Sequence, residues 1–148
     1  MKSGIPAVTP WFVSVFRAVI GFLLLCHGTS TLFAWPVAPW NGAATPFTEW
    51  PGGWAGSIEL VAGVLLILGL FTRSAAFVAS GTLAVAYFWK HQPDGALPIG
   101  NEGESAVLFC WALLALVFLG PGRVALDRLI GRSAPEREPS PRITESVS

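Results

Sequence analysis

The chain has 148 residues, of which 53% are hydrophobic and only 12% are charged. A soluble domain carries about twice that share of charged residues, so the composition excludes an ordinary soluble protein and indicates that lipid is the solvent. The formal net charge is zero, which argues against a nucleic-acid partner. The sequence has neither a Gly-rich phosphate loop nor a Cys/His cluster at metal-ligand spacing, so we expect no metal site.

Four long apolar runs follow one another and predict an all-α fold, an integral membrane bundle of four transmembrane helices. The predicted spans are about 11–35, 54–72, 74–90 and 104–120. A spanning helix needs about 20 apolar residues, so flanking aromatic and basic side chains must complete the shorter third and fourth spans. Residues 1–131 form the membrane domain, and the tail 132–148, which lacks aromatic residues, is predicted to be disordered.

The first run also has the position of a signal peptide, because Lys2 and Arg17 precede its apolar centre. However, no A-x-A cleavage site follows it, and Leu25 before Cys26 is too large for a lipoprotein cleavage box. We therefore expect the first helix to be retained.

The basic residues collect on one side of the predicted bundle. Lys2 and Arg17 flank the first span, Arg73 lies between the second and third, and five arginines follow the fourth. The segments on the other side, 36–53 and 90–103, contain one basic residue between them. The positive-inside tendency therefore predicts that the N- and C-termini are both cytoplasmic.

The first outer segment is bordered and filled by tryptophan and proline. Its tryptophans are Trp35, Trp40, Trp50 and Trp54. Tryptophan favours the headgroup level of a bilayer, so these residues predict an aromatic belt that anchors the bundle. The alternative is a lid that lies over an outward-facing pocket.

Two ionisable residues lie well inside the predicted spans. His27 is about seven residues from the outer end of the first span, and Glu59 is about five from the outer end of the second. At ~1.5 Å per residue both lie ~7–11 Å below the outer surface, at depths that allow contact. An ionisable group inside a span costs about 2.5–3.5 kcal/mol, so each needs a partner or a purpose.

Three more polar residues lie at the outer ends of the third and fourth spans. The predicted outer cluster consists of His27, Glu59, His91, Asn101 and Glu104. One interpretation is a buried structural network in which Glu59 pairs with His27. The other is a site that handles a proton, or binds a quinone or another redox carrier, near the membrane surface.

A second polar group is predicted at the inner end. Its members are Arg17, Arg73, Arg123 and Asp127, which we interpret as structural anchors, with Arg73 reaching the membrane surface and pairing with Asp127. Cys26 and Cys110 lie inside apolar runs and are interpreted as packing residues, with a redox pair as the alternative.

Several motifs together resemble the DoxX family. They are Arg17-x3-Gly21 followed by His27-Gly28, Glu59-x3-Gly63-x5-Gly69-x2-Thr72-Arg73, Asn101-Glu102-Gly103-Glu104, and Gly120-Pro121-Gly122-Arg123 with Asp127. The resemblance extends over about residues 11 to 130, and the tail from Ser133 onward has no counterpart in it.

The resemblance implies a four-helix protein of the bacterial inner membrane. Some relatives are subunits of thiosulfate:quinone oxidoreductases, and many have no assigned activity. The polar positions that it implies are His27, Glu59, Arg73, Asn101, Glu104 and Asp127. The sequence has no haem, flavin or iron–sulfur ligand set, so a redox role would require a quinone, thiols or a partner subunit.

Three hypotheses for function follow. The first is a subunit of, or accessory to, a quinone- or thiol-linked membrane oxidoreductase, with soluble redox proteins as partners. The second is a non-catalytic scaffold or assembly protein that holds soluble partners at the lipid bilayer through the charged tail. The third is a small transporter, which would need a homo-oligomer because four short spans enclose little volume.

Overall fold

The computed structural model describes residues 8–39 and 42–132 of the chain. These residues form helices and connecting segments, with no β-strand among them. The α-helices are α1 Thr9–Phe33, α2 Gly52–Leu68, α3 Thr72–Ala86, α4 Glu104–Leu119 and α5 Leu126–Arg132. α3 continues into a π-helical turn, Tyr87–His91, and a 3-10 turn, Gln92–Asp94. The tail 133–148, Trp40 and Lys2 lie outside the described residues, so the predicted disorder of the tail stays a prediction.

α1 to α4 run alternately up and down, and each packs mainly on its neighbour in sequence, α1 on α2 and α3 on α4. One end of the bundle carries Arg17, Arg73 and α5, and we call it the arginine end. The opposite end carries the connections 34–51 and 92–103, and we call it the loop end.

Glycines bring the backbones of α1 and α2 into contact. A Cβ atom added at Gly28 would lie 2.6 Å from the Leu60 nitrogen, and one added at Gly63 would lie 2.7 Å from the Leu25 nitrogen. Gly21 and Gly28 are seven residues apart, as are Gly56 and Gly63, so the small residues of each helix recur on one face. Small residues at these positions allow the close packing of two helices in a membrane.

The core between the helices is small and apolar. Leu24, Leu66, Leu113 and Leu116 are fully buried at its centre. Two small residues of α3 also face the interior, because Ala76 is fully buried and the Ser80 hydroxyl donates to the Cys110 carbonyl at 2.9 Å. This bond ties α3 to α4 across the core.

The outer surface of the helices is as apolar as the core. Large side chains such as Phe22, Phe77, Trp111 and Phe118 are more than half exposed. In water such a surface would be unstable, whereas in a bilayer it faces lipid. Among the described residues α1 is long and apolar enough to cross a membrane, and α2 and α4 are shorter apolar helices. The prediction of an all-α membrane bundle is confirmed, and four crossings of the bilayer stay a prediction.

The helix ends differ from the predicted ones because the backbone turns sharply at two places. α1 ends at Phe33, where Ala34 adopts φ 53°, and α2 ends at Leu68, where Gly69 adopts φ 69°. The second span therefore stops four residues before its predicted end at 72. α5 was not predicted, and it folds back onto the arginine end, where the Asp127 nitrogen donates to the Gly69 carbonyl at 2.9 Å.

Candidate functional site

The candidate site lies in the half of the bundle nearer the loop end, where His27 and Glu59 stand on neighbouring helices. Gly28 packs against Gly56 and the backbone of Leu60. His27 and Glu59 directly precede Gly28 and Leu60 in the sequence, so they lie at the same level along the bundle axis. The two residues therefore lie at similar depths in the bundle, as their sequence positions predict. Glu59 is only 8% exposed, on the side of α2 that faces the core.

The predicted contact between these two residues is not present. No hydrogen bond or ion pair joins His27 to Glu59 within the described residues, and the Glu59 carboxyl bonds to no other group there. His27 is exposed, and its ring meets the Phe109 ring of α4 edge-on, with centroids 5.4 Å apart. The imidazole therefore points toward the side of the bundle where α1 approaches α4, away from a direct pairing with Glu59.

A second polar group fixes the loop end of α3 against the start of α4. The His91 Nδ1 atom lies 3.0 Å from the Asn101 carbonyl oxygen. Since a carbonyl only accepts, Nδ1 carries the hydrogen and Nε2 is left as an acceptor. The Asn101 side chain, 4% exposed, donates to the Gly95 carbonyl at 2.7 Å and to the Tyr87 hydroxyl at 3.4 Å. Asn101 thus orders this connection.

The structure divides the predicted five-residue cluster. His91 and Asn101 are bonded to each other, His27 packs on Phe109, and Glu59 stands alone in the interior. Glu104 is exposed in the first turn of α4, where the helix dipole favours a carboxylate. The sequence predicted one cluster because the position of a residue in its span indicates its depth in the membrane. It does not indicate how each helix is rotated about its own axis.

The outer connection is held over the end of α1 by one side-chain and one backbone hydrogen bond. The Ser30 hydroxyl donates to the Val37 carbonyl at 2.6 Å, and the Thr45 nitrogen donates to the Thr31 carbonyl at 2.8 Å. Trp35, Trp50 and Trp54 are each more than half exposed. This exposure favours the aromatic belt over the lid, and Trp40 lies outside the described residues.

The arginine end is organised by Arg17, whose side chain is 3% exposed. Its Nη1 donates to the carbonyls of Leu66 and Ile67, the latter at 3.1 Å. Its Nε donates to Pro121 at 3.0 Å and its Nη2 to Val124 at 2.6 Å. The guanidinium thus joins α1 to the end of α2 and to the segment that follows α4.

The predicted pairing of Arg73 with Asp127 is wrong. The two Asp127 carboxylate oxygens accept from the Phe71 and Thr72 nitrogens, at 2.7 and 3.0 Å. Arg73 instead reaches the Phe118 carbonyl at 3.5 Å. Each charge lies at the helix end whose dipole it complements, the carboxylate at the start of α3 and the guanidinium at the end of α4.

Three residues that were not predicted from the sequence support these groups. Phe109 faces His27, Tyr87 contacts Asn101, and Ser14 accepts from the Val124 nitrogen at 3.0 Å. A Cβ atom at Gly122 would lie 2.5 Å from the Ser14 oxygen, so only glycine fits there. The spacing of Ser14 and Arg17, three residues apart on one helix face, was the signal available in the sequence.

The side chains of the candidate site, an imidazole and a carboxyl, are suited to hydrogen bonding and proton transfer. Within residues 8–39 and 42–132 no group of three His, Cys, Asp or Glu side chains is placed to hold a metal ion. Cys26 and Cys110 are both half-buried and free. His27 and Glu59 are the candidates for ligand binding that lie within the apolar helices and make no hydrogen bond among the described residues.

The comparisons with known proteins decide the family. A family model described as DoxX matches residues 12–92, which is more than half of the chain. The chain belongs to the DoxX family. A protein of Haemophilus influenzae, described as uncharacterized, is 39% identical over 124 residues, which cover 80% of this chain and 90% of that protein. No solved structure is significantly similar to the chain.

Two further DoxX-related proteins carry membrane names. An uncharacterized membrane protein of Mycobacterium tuberculosis is 32% identical over 145 residues, covering 84% of this chain and 85% of that protein. The inner membrane protein YphA of Escherichia coli is 33% identical over 76 residues, covering 48% of this chain and 54% of that protein. These names agree with a membrane location. The DoxX match ends before Asn101, Glu104 and Asp127, so it reaches His27 and Glu59 and not the later polar positions.

Proposed function

We propose that this DoxX protein is an accessory subunit of a quinone-linked membrane oxidoreductase, and that His27 and Glu59 bind the quinone head group. The observation that carries the proposal is the unsatisfied state of both side chains. Each lies within an apolar helix, at one level, and neither makes a hydrogen bond or ion pair within the described residues. A polar group left in this condition needs a ligand to offset its desolvation.

A quinone matches these two residues in chemistry and in route of access. Its carbonyl oxygens accept hydrogen bonds from an imidazole N–H or a protonated carboxyl, and its reduction requires protons that such groups relay. His27 is exposed beside Phe109, on an aromatic and apolar surface that a lipid-borne ring can reach from the bilayer. A thiol-linked mechanism has less support because Cys26 and Cys110 are free and half-buried.

In this proposal the redox centre that exchanges electrons with the quinone belongs to a partner subunit and not to this chain. The described residues hold polar groups for a head group and no ligand set for a metal centre. The protein would therefore position the quinone for a partner subunit that carries the redox centre.

Purified protein in lipid nanodiscs, titrated with short-chain ubiquinone and menaquinone analogues, tests the proposal. We expect saturable binding, weakened about tenfold in His27→Ala and in Glu59→Ala, the effect of losing one hydrogen bond to a polar ligand. Glu49→Ala removes an exposed carboxylate from the outer connection and should bind as the wild type does. Absence of saturable binding, or wild-type affinity in His27→Ala, would refute the proposal.

A double-mutant cycle separates a ligand site from a structural pair. Because His27 and Glu59 make no direct bond, their effects on the free energy of unfolding should add. Their effects on quinone affinity should not add, since both would contact one head group. Coupling in stability together with additivity in binding would instead identify a structural pair.

A further inference from the structure

A cleft of about 660 Å³ opens at the arginine end, far from the candidate quinone site. Its polar wall is formed by Arg123 and Arg128, and its apolar wall by Leu68, Val124, Leu126 and Leu129. The cleft lies where α2 ends and α5 folds back, and where the apolar surface of the bundle gives way to charge. We propose that it binds the phosphate head group of an anionic phospholipid.

The two arginines carry positive charge that no carboxylate neutralises within residues 8–39 and 42–132. Arg123 stacks over the Trp11 ring, with its guanidinium carbon 5.2 Å from the ring centroid. Arg128 donates through Nε to the Gly122 carbonyl at 2.6 Å. Neither makes an ion pair within the described part of the chain. Both side chains are exposed, so their terminal N–H groups are open to an anion.

Asp127, the carboxylate beside the cleft in the described part of the chain, is already engaged. Both oxygens of Asp127 accept from the first backbone nitrogens of α3, which removes it as a partner for the cleft arginines. Arg17 donates to carbonyls, and Asp127 is the carboxylate that acts on its charge within the described residues. Positive charge therefore exceeds negative charge around the cleft, and guanidinium groups pair with phosphate oxygens through two parallel N–H bonds.

The apolar wall indicates a lipid in preference to a free anion. Leu126, Leu129 and Ile130 are exposed on α5, on a helix too short to be stable alone in water. Exposed leucines beside arginines are typical of a helix that lies in the membrane surface. An amphiphile satisfies both walls at once, with its phosphate on the arginines and its acyl chains along the leucines.

The test uses the full chain in detergent, with bound lipid counted by native mass spectrometry. Phosphatidylglycerol should be retained about tenfold more tightly than phosphatidylcholine with the same acyl chains. The double variant R123Q/R128Q should lose about fivefold in affinity for each arginine removed. Arg73→Gln is the matched control, because Arg73 is exposed at the same end, outside the cleft, and should leave binding unchanged.

Three results would overturn the inference. They are equal retention of the two lipids, a loss in Arg73→Gln as large as in the double variant, and displacement of phosphatidylglycerol by inorganic phosphate at equal concentration. The last would identify a site for free phosphate. If the double variant does not fold, Arg128→Gln against Arg128→Lys decides, since the lysine should keep most of the affinity and the glutamine should not.

Discussion

At the scale of single residues, Arg17 shows how a charge is kept inside an apolar helix. Its guanidinium is surrounded by four carbonyl oxygens, two from the end of α2 and two from the segment after α4. The last carbonyls of a helix lack partners within it, so they are ready acceptors with partial negative charge. The arginine thus supplies hydrogen-bond donors to carbonyl groups at the end of α2.

We expect Arg17→Gln to lower the free energy of unfolding by about 3 kcal/mol or more, since it removes several hydrogen bonds to a charged donor. Arg17→Lys should recover only part of that loss, because an ammonium is a point donor and cannot span carbonyls on two sides. Denaturation in a mild detergent would measure both. Arg73→Gln is the control, with its single 3.5 Å bond, and full stability in Arg17→Lys would contradict the role of the planar fork.

At the scale of elements, the α1–α2 pair depends on glycine. The backbones meet at Gly28 and Gly63, where even a methyl group would stand closer than 3.0 Å to a main-chain atom. This close approach increases the van der Waals contact between the two helices. In lipid such contact stabilises helix association, because the hydrophobic effect does not drive helices together there. The close approach also holds His27 and Glu59 at one level.

Gly28→Ala should destabilise the protein by about 1–3 kcal/mol, because the added methyl group has no space to enter. Gly81→Ala is the matched control: that glycine lies within α3, and a Cβ there would meet nothing within 4 Å. The control should be neutral or stabilising by up to ~1 kcal/mol through helix propensity. Equal thermal shifts for the two variants would show that the helices do not pack this closely.

The start of α3 depends on a carboxylate from α5. Asp127→Ala removes the acceptor for the Phe71 and Thr72 nitrogens, and should cost about 1 kcal/mol, the usual effect of losing a helix cap. Hydrogen exchange at these two amides should accelerate, while exchange in the middle of α3 should not. Unchanged protection at both amides would place the Asp127 side chain elsewhere.

At the scale of the whole molecule, the bundle has an apolar outside and two polar ends of different character. Arginines dominate one end, and tryptophans and backbone-bonded connections form the other. α1, at ~37 Å, exceeds the ~30 Å hydrocarbon core, and α4, at ~24 Å, falls short of it. Flanking aromatic and basic residues must therefore set how α4 sits in the bilayer.

The orientation is tested in a variant in which Cys26 and Cys110 are replaced by serine. A single cysteine at Thr48, exposed at the loop end, should react with a membrane-impermeant maleimide in intact cells. A cysteine at Arg128 should react only after the membrane is opened, because the arginine-rich end is predicted to be cytoplasmic. The reverse pattern would invert the predicted orientation.

The sequence predicted the helices well because apolar runs and interrupting charges are local signals. It misplaced contacts that depend on helix rotation. His27 and Glu59 were matched by depth, yet Gly28 is the residue that faces α2, and its neighbour His27 points about 100° away from it. The pairing of Asp127 with Arg73 was predicted from their opposite charges alone. The helix α5 that carries Asp127 has only seven residues, too few to show a periodic pattern, so its position against α3 could not be predicted.

The bonds of Arg17 also constrain the order in which the protein can be made. Two of its acceptors, the carbonyls of Pro121 and Val124, lie 104 and 107 residues later in the chain. At about 5–20 residues per second a ribosome needs roughly 5–20 s to reach them. During that time the guanidinium has only the carbonyls at the end of α2 as partners, so its set of hydrogen bonds stays incomplete until the segment after α4 is made. The full set of Arg17 hydrogen bonds can therefore form only near the end of translation.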